Sequence, residues 1–73
     1  MLGLIAVRDL IITKHAGDKM AVEGISAEQA AEAIEKGSRF TQTEGYLSVY
    51  TYFSVAWKRY GDKYKLKTVF LNK

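Results

Sequence analysis

Cysteine and proline are both absent from this chain of 73 residues, and histidine occurs once, at His15. Without cysteine there is neither a disulfide framework nor a thiolate metal site. Without proline, the six glycines must supply the turns. Long hydrophobic runs are missing too: no stretch approaches the ~18 apolar residues of a membrane span. The apolar start, Met1 to Thr13, is interrupted by Arg8 and Asp9 and lacks the basic opening and small-residue cleavage site of a signal peptide. These absences lead us to expect one domain, no membrane and a cytoplasmic setting. At this length only about 60% of the unfolded chain's surface can be buried, which favours tight packing or oligomerisation.

Negative charge is scarce in the second half. Residues 1–45 carry five basic and seven acidic residues, whereas residues 46–73 carry six basic residues against Asp62 alone. The halves are −2 and +5, within a total of +3. A basic half of this kind suits a polyanionic partner.

In chain order, Leu2 to Val7 reads as a buried strand, Arg8-Asp9 breaks it, and Leu10 to Ile12 resumes it. Thr13 can cap a helix that ends at Glu23, with Gly24 as a left-handed terminator. Ser26 and Gln29 form a capping box for a second helix. Its apolar stripe is Ala27, Ala30, Ala31 and Ile34, and Glu28, Glu32 and Glu35 face away. Glu32 and Lys36 are placed for an i, i+4 pair, and Gly37 stops the helix.

From Ser38 the period falls to 2. A strand at Arg39–Thr43 turns at Glu44-Gly45 into one long strand, Tyr46–Trp57, and Gly61-Asp62 makes a type II′ hairpin turn into a last strand, Tyr64–Leu71. Alternation puts Leu47, Val49, Phe53, Val55 and Trp57 on one face. Tyr46, Ser48, Tyr50, Tyr52, Ser54 and Ala56 fall on the other. The turn sets Trp57 opposite Leu66, Val55 opposite Thr68 and Phe53 opposite Phe70. Val69 and Leu71 would then point away from the helices, to be covered by the N-terminal strand or a second chain. The fold class is α+β: an apolar N-terminal strand, two short helices, then an antiparallel sheet of three or more strands.

Two constellations carry chemistry. His15 lies near a helix start beside Lys14, with Lys19 one turn on, and a neutral imidazole next to an ammonium suits a general base paired with a phosphate-stabilising cation. The plainer alternative is a histidine bonded to a nearby carbonyl. Tyr50 and Tyr52 with Lys63, Lys65 and Lys67 could stack bases and neutralise phosphates, or simply form a solvated sheet face. Glu28, Glu32 and Glu35 read as a solvated helix surface, and with one histidine and no nucleophile motif neither metal nor cofactor is expected.

The run Thr13-Lys14-His15-Ala16, then Lys19-Met20, Gly24-Ile25-Ser26 and Thr68-Val69-Phe70, resembles a family of small prokaryotic domains. Its members carry a His-Ala-x-x-Arg-Met helix and are grouped with RelE-like and BrnT-like toxins. The resemblance implies two helices followed by an antiparallel sheet, and metal-independent ribonuclease activity restrained by an antitoxin. Lysine stands at 19 where the family has arginine, which keeps the charge without the bidentate fork. On this reading the domain binds RNA, in a ribosome-associated setting or free. His15 acts as general base or acid, and Lys19 with Arg59 or Lys67 stabilises the phosphate. Lys14, Tyr50, Tyr52, Arg59, Lys63, Lys65 and Lys67 contact the RNA. The rival reading is a non-catalytic interaction module that pairs with itself or with an acidic partner.

Overall fold

The computed structural model describes residues 5–72, in which two helices lie on one side of a five-stranded mixed sheet. The elements are β1 (Leu10–Ile12), α1 (Lys14–Glu23), α2 (Ala27–Lys36), β2 (Ser38–Gln42), β3 (Gly45–Tyr50), β4 (Phe53–Tyr60) and β5 (Lys63–Leu71). Their spatial order is β1-β5-β4-β3-β2. Strands β2 to β5 are antiparallel neighbours, as their alternation predicts, and β1 adds a parallel edge beside β5, with Leu10 against Tyr64 and Ile12 against Leu66. The fold is α+β.

The helix boundaries follow from their caps. The Thr13 hydroxyl accepts the Ala16 N–H at 3.1 Å and donates to the Leu66 carbonyl at 2.8 Å, so one side chain both starts α1 and clips it to β5. Gly24 ends α1 at φ +72°, where a side chain is disfavoured. Ser26 and Gln29 exchange backbone bonds at 3.1 and 2.8 Å, the reciprocal capping box. Gly37 ends α2 in extended conformation, φ −72°, for a different reason. A Cβ there would sit 2.6 Å from the Ala33 carbonyl and 2.8 Å from that of Val49, so glycine lets the helix end rest on β3.

Three expectations need correction. First, Ile5 to Val7 do not form a strand. The Asp9 carboxylate accepts the Ala6 N–H at 3.1 Å and Asp9 N–H returns to the Ala6 carbonyl at 2.9 Å, folding Val7–Asp9 into a 3-10 turn. The expected strand's remaining residues, Leu2–Leu4, lie outside the described part. Second, the long strand Tyr46–Trp57 is two strands. The chain reverses at Thr51-Tyr52 with Thr51 at φ +36°, and Tyr50 pairs with Phe53. Reversal exchanges the faces: Tyr46, Ser48 and Tyr50 turn towards the helices with Trp57, Val55 and Phe53, while Leu47 and Val49 turn outwards with Ala56 and Ser54.

Third, a bulge interrupts β4 and β5. Trp57 opposes Leu66 as the turn dictates, but Ala56 then opposes Thr68, so Lys67 is the extra residue. Beyond it the parity inverts. Val55 meets Val69 and Phe53 meets Leu71, instead of Thr68 and Phe70. Val69 is thereby buried under the helices, which disposes of the cover expected for it, and Phe70 faces outwards.

Ala16, Met20, Ile25, Ala30, Ala33 and Ile34 pack on Phe53, Val55, Trp57, Leu66 and Val69 to form the core. Helix α1 runs over β5, and α2 runs over β3 and β4. Among the described residues, no helix lies on the opposite face of the sheet. There, Ser54 and Ala56 are sunk between larger neighbours. Asn72 closes one end of this face, accepting from the Ser54 hydroxyl and donating to the carbonyls of Thr51 and Phe53 at 3.3 and 3.2 Å. Among the described residues no helix is long and apolar enough to cross a membrane.

Candidate nucleic-acid interface

The β4–β5 hairpin sets the positions of most of the basic residues. Gly61 takes φ +63° while Asp62 stays negative, as a II′ turn requires, and this closes Tyr60 against Lys63. Two residues further on, Lys58 stands directly opposite Lys65. Both pairs lie on the uncovered face, and the bulge leaves Lys67 there as well. The ammonium of Lys65 sits 5.8 Å from the centre of the Tyr60 ring. Lys63 Nζ donates to the Arg8 carbonyl at 3.4 Å, and Lys67 Nζ to the Glu44 carbonyl at 2.7 Å.

Among the described residues, none of these four lysines meets a carboxylate. The ion pairs among the described residues are all within helices: Lys14 with Asp18, Lys19 with Glu23 and Lys36 with Glu32. Like charges directly across a strand pair repel, and here Lys58 and Lys65 are held in that relation with no anion to offset them.

The other expected site residues are dispersed. His15 is exposed in the first turn of α1, on the helix side of the sheet, and makes no hydrogen bond or ion pair with a described residue. Lys19 Nζ is 3.6 Å from the Glu23 carboxylate, and Lys14 Nζ is 3.1 Å from that of Asp18, so both nearby charges are already matched. Tyr50 is half-buried beneath α2 and packs edge-on against Phe53. Burial first, and then the Glu32 carboxylate beside it, raises its phenol above the usual 10.0, with Lys36 opposing. Tyr52 is in the β3–β4 turn, its hydroxyl 3.3 Å from the Gln29 amide nitrogen. Arg59 faces the helix side, 5.2 Å over the Tyr64 ring, and donates to the Gly61 carbonyl at 2.9 Å.

Compared with protein-family models, curated proteins and solved structures, the chain has no match.

What the fold brings together is therefore Lys58, Tyr60, Lys63, Lys65 and Lys67 on one open surface. Lys63, Lys65 and Lys67 were expected there, but Tyr50 and Tyr52 are not beside them. Tyr60 and Lys58 take that role, and the II′ turn signals both, because pairing outwards from Gly61-Asp62 sets Tyr60 against Lys63 and Lys58 against Lys65. A ring flanked by ammonium groups can stack a base while the lysines take the adjoining phosphates. Elsewhere, a cleft of about 380 Å³ opens between residues 5–7 and α2, lined by Glu28, Ala31, Glu32, Glu35 and Lys36. It holds none of the basic surface, Glu32 is paired with Lys36, and Glu35 accepts the Ile5 N–H at 3.1 Å. No group of three potential metal ligands converges among the described residues.

Proposed function

We propose that this domain binds single-stranded RNA along the open face of β4–β5, as a small RelE/BrnT-like toxin-type module. The observation that carries the reading is the Lys58–Lys65 cross-strand pair, flanked by Lys63, Lys67 and Tyr60 and facing no carboxylate among the described residues. An RNA backbone supplies the missing anions, and Tyr60 supplies a ring for one base.

Cleavage is the further part of the reading, centred on His15. The ribose 2′-hydroxyl would lose its proton to the imidazole and attack the adjacent phosphate, breaking the bond from phosphorus to the 5′-oxygen, which leaves as a hydroxyl by taking a proton from water, with a cyclic phosphate as the other product. His15 lies across the sheet from the lysines. A strand reaching both has to pass around β1, an edge only three residues long, bordered by exposed Arg8 and Lys14.

Fluorescence anisotropy with a labelled oligonucleotide tests binding, and a cleavage assay in chelator with the same RNA tests chemistry. Replacing Lys58 and Lys65 together by glutamate should abolish salt-sensitive binding, and unchanged affinity would remove this face from the proposal. His15→Ala should leave binding intact and abolish the cyclic-phosphate product. Binding without cleavage in the wild type would reduce the function to RNA binding alone.

The rival reading, a protein-interaction module for an acidic partner, draws on a different observation. Phe40, Leu47, Val49 and Phe70 lie on the same uncovered face as the lysines, an apolar field beside a basic one. Retention of an acidic protein by a surface that ignores RNA would decide for it.

A further inference from the structure

β2 is an edge strand with every residue exposed. Its inner side pairs with β3 from Ser38–Val49 to Gln42–Gly45, and its outer side is unpaired. The hairpin closes through only two residues, Thr43 and Glu44, which makes Gln42–Gly45 a hydrogen-bonded pair. Alternation then commits Ser38, Phe40 and Gln42 to β3 and turns the N–H and C=O groups of Arg39 and Thr41 outwards.

Edges of this kind are normally guarded by lysine, proline, a bulge or an inward charge. β2 has no lysine or proline, and its register with β3 is unbroken. Its one charge, Arg39, turns to the helix side with its guanidinium over the Tyr46 and Trp57 rings at 5.5 and 5.2 Å, yet it stays exposed, so a strand added at the edge does not bury it. Phe40, the middle residue, is 55% exposed on the uncovered face, next to Leu47.

We infer that two copies of this domain join antiparallel through β2, on a two-fold axis at Phe40, into one ten-stranded sheet. The register is chosen by the side chains. Centring on Phe40 sets Arg39 against Thr41 of the second copy, so the outward groups of both pairs exchange hydrogen bonds. Centring one residue earlier would set two guanidinium groups against each other. In the chosen register the two Phe40 rings meet in a non-hydrogen-bonded pair, where facing Cα atoms are about 4.5 Å apart. The rings extend the apolar field of Leu47 and Val49 across the axis.

Charge favours the same arrangement. Lys58, Lys63 and Lys65 are on β4 and β5, away from β2, and only Lys67 reaches the β2–β3 turn, where it is held by the Glu44 carbonyl. The opposite edge, β1, has only three residues to offer a second copy, against five in β2.

Light scattering over a wide concentration range should give twice 8.2 kDa for the wild type. Thr41→Pro deletes an outward N–H and no bond to β3, so it should halve the mass with the circular dichroism unchanged. Independently of that variant, Phe40→Cys in this cysteine-free chain should oxidise rapidly to a covalent dimer, because facing Cα atoms about 4.5 Å apart accept a disulfide. Ser38→Cys, set opposite Gln42 of the second copy, should not. A wild type that stays at 8.2 kDa throughout, or Ser38→Cys cross-linking as fast as Phe40→Cys, would overturn the inference.

Discussion

The indole N–H of Trp57 donates to the Ser48 hydroxyl at 2.8 Å, and neither side chain is open to solvent. This bond crosses from β4 to β3 beneath the helices and satisfies a polar atom in the largest buried side chain. Ser48→Ala should leave that N–H unpaired at a cost of about 1–3 kcal/mol. In a domain of this size each kcal/mol lowers Tm by about 4–8 °C. Urea unfolding followed by tryptophan fluorescence measures it, and a loss near zero would mean that water or another group takes over the bond.

Thr51 sits at φ +36°, a region that a β-branched side chain rarely occupies. The turn is held there from outside, because Asn72 donates to the carbonyls of Thr51 and Phe53 and its own N–H bonds to the Tyr52 carbonyl at 2.8 Å. Thr51→Gly should relieve about 1 kcal/mol of backbone strain and raise Tm. Asn72→Ala should lower Tm, and less in the Thr51→Gly background.

Tyr50 predicts an alkaline limb in the stability curve. Burial and Glu32 raise its folded-state phenol above 10.0, so the folded chain holds this proton more tightly than the unfolded chain. Its contribution is complete below pH 10.0 and is lost as pH rises from there through the folded value. Tyr50→Phe has no such proton, so its stability should fall less steeply above pH 10.0 than that of the wild type. Parallel curves for the two proteins would contradict this.

Lys58 opposite Lys65 should be a net cost to the free protein. Lys58→Glu converts the repulsion to an attraction and should stabilise the fold by about 0.2–1 kcal/mol at low ionic strength. The gain should shrink as salt is added. The same variant should weaken RNA binding and flatten the plot of log affinity against log salt by about two phosphate contacts' worth, since the local charge falls by two. Chemical denaturation and anisotropy at matched salt concentrations read both effects.

Local chemistry made the helical half legible. Thr13, Gly24, the Ser26/Gln29 box and the Glu32–Lys36 pair are all determined within four residues, and each is where its spacing places it. The sheet was legible only where a turn announces itself: Gly61-Asp62 fixes the pairing from Tyr60 back to Trp57. Thr51-Tyr52 carries no turn residue, so unbroken alternation from Tyr46 to Trp57 conceals a hairpin held by Asn72, some twenty residues downstream. The Lys67 bulge is equally silent in sequence, because apolar residues on both sides of β5 permit either parity after Leu66. The hidden hairpin takes Tyr50 off the lysine face, whereas Tyr60 and Lys58 beside Lys63 and Lys65 follow from the Gly61-Asp62 turn. The sequence pattern therefore locates the lysine surface near that turn but pairs it with the wrong tyrosines.

β5 is the latest of the elements to be synthesised, yet it lies inside the sheet, between β4 and the earliest strand, and it carries α1 on its face. A nascent chain lacking it gives β1 no strand to pair with and α1 no floor to lie on. β2, β3 and β4 can pair as consecutive hairpins, but the five-stranded sheet cannot close on β1 until β5 has left the exit tunnel. Lys65 and Lys67 are on that same strand, so the lysine surface and the complete sheet come into being in the same step. A truncated product that stops before β5 would carry the histidine, the helices and both edge strands, but only Lys58 and Tyr60 of the lysine field.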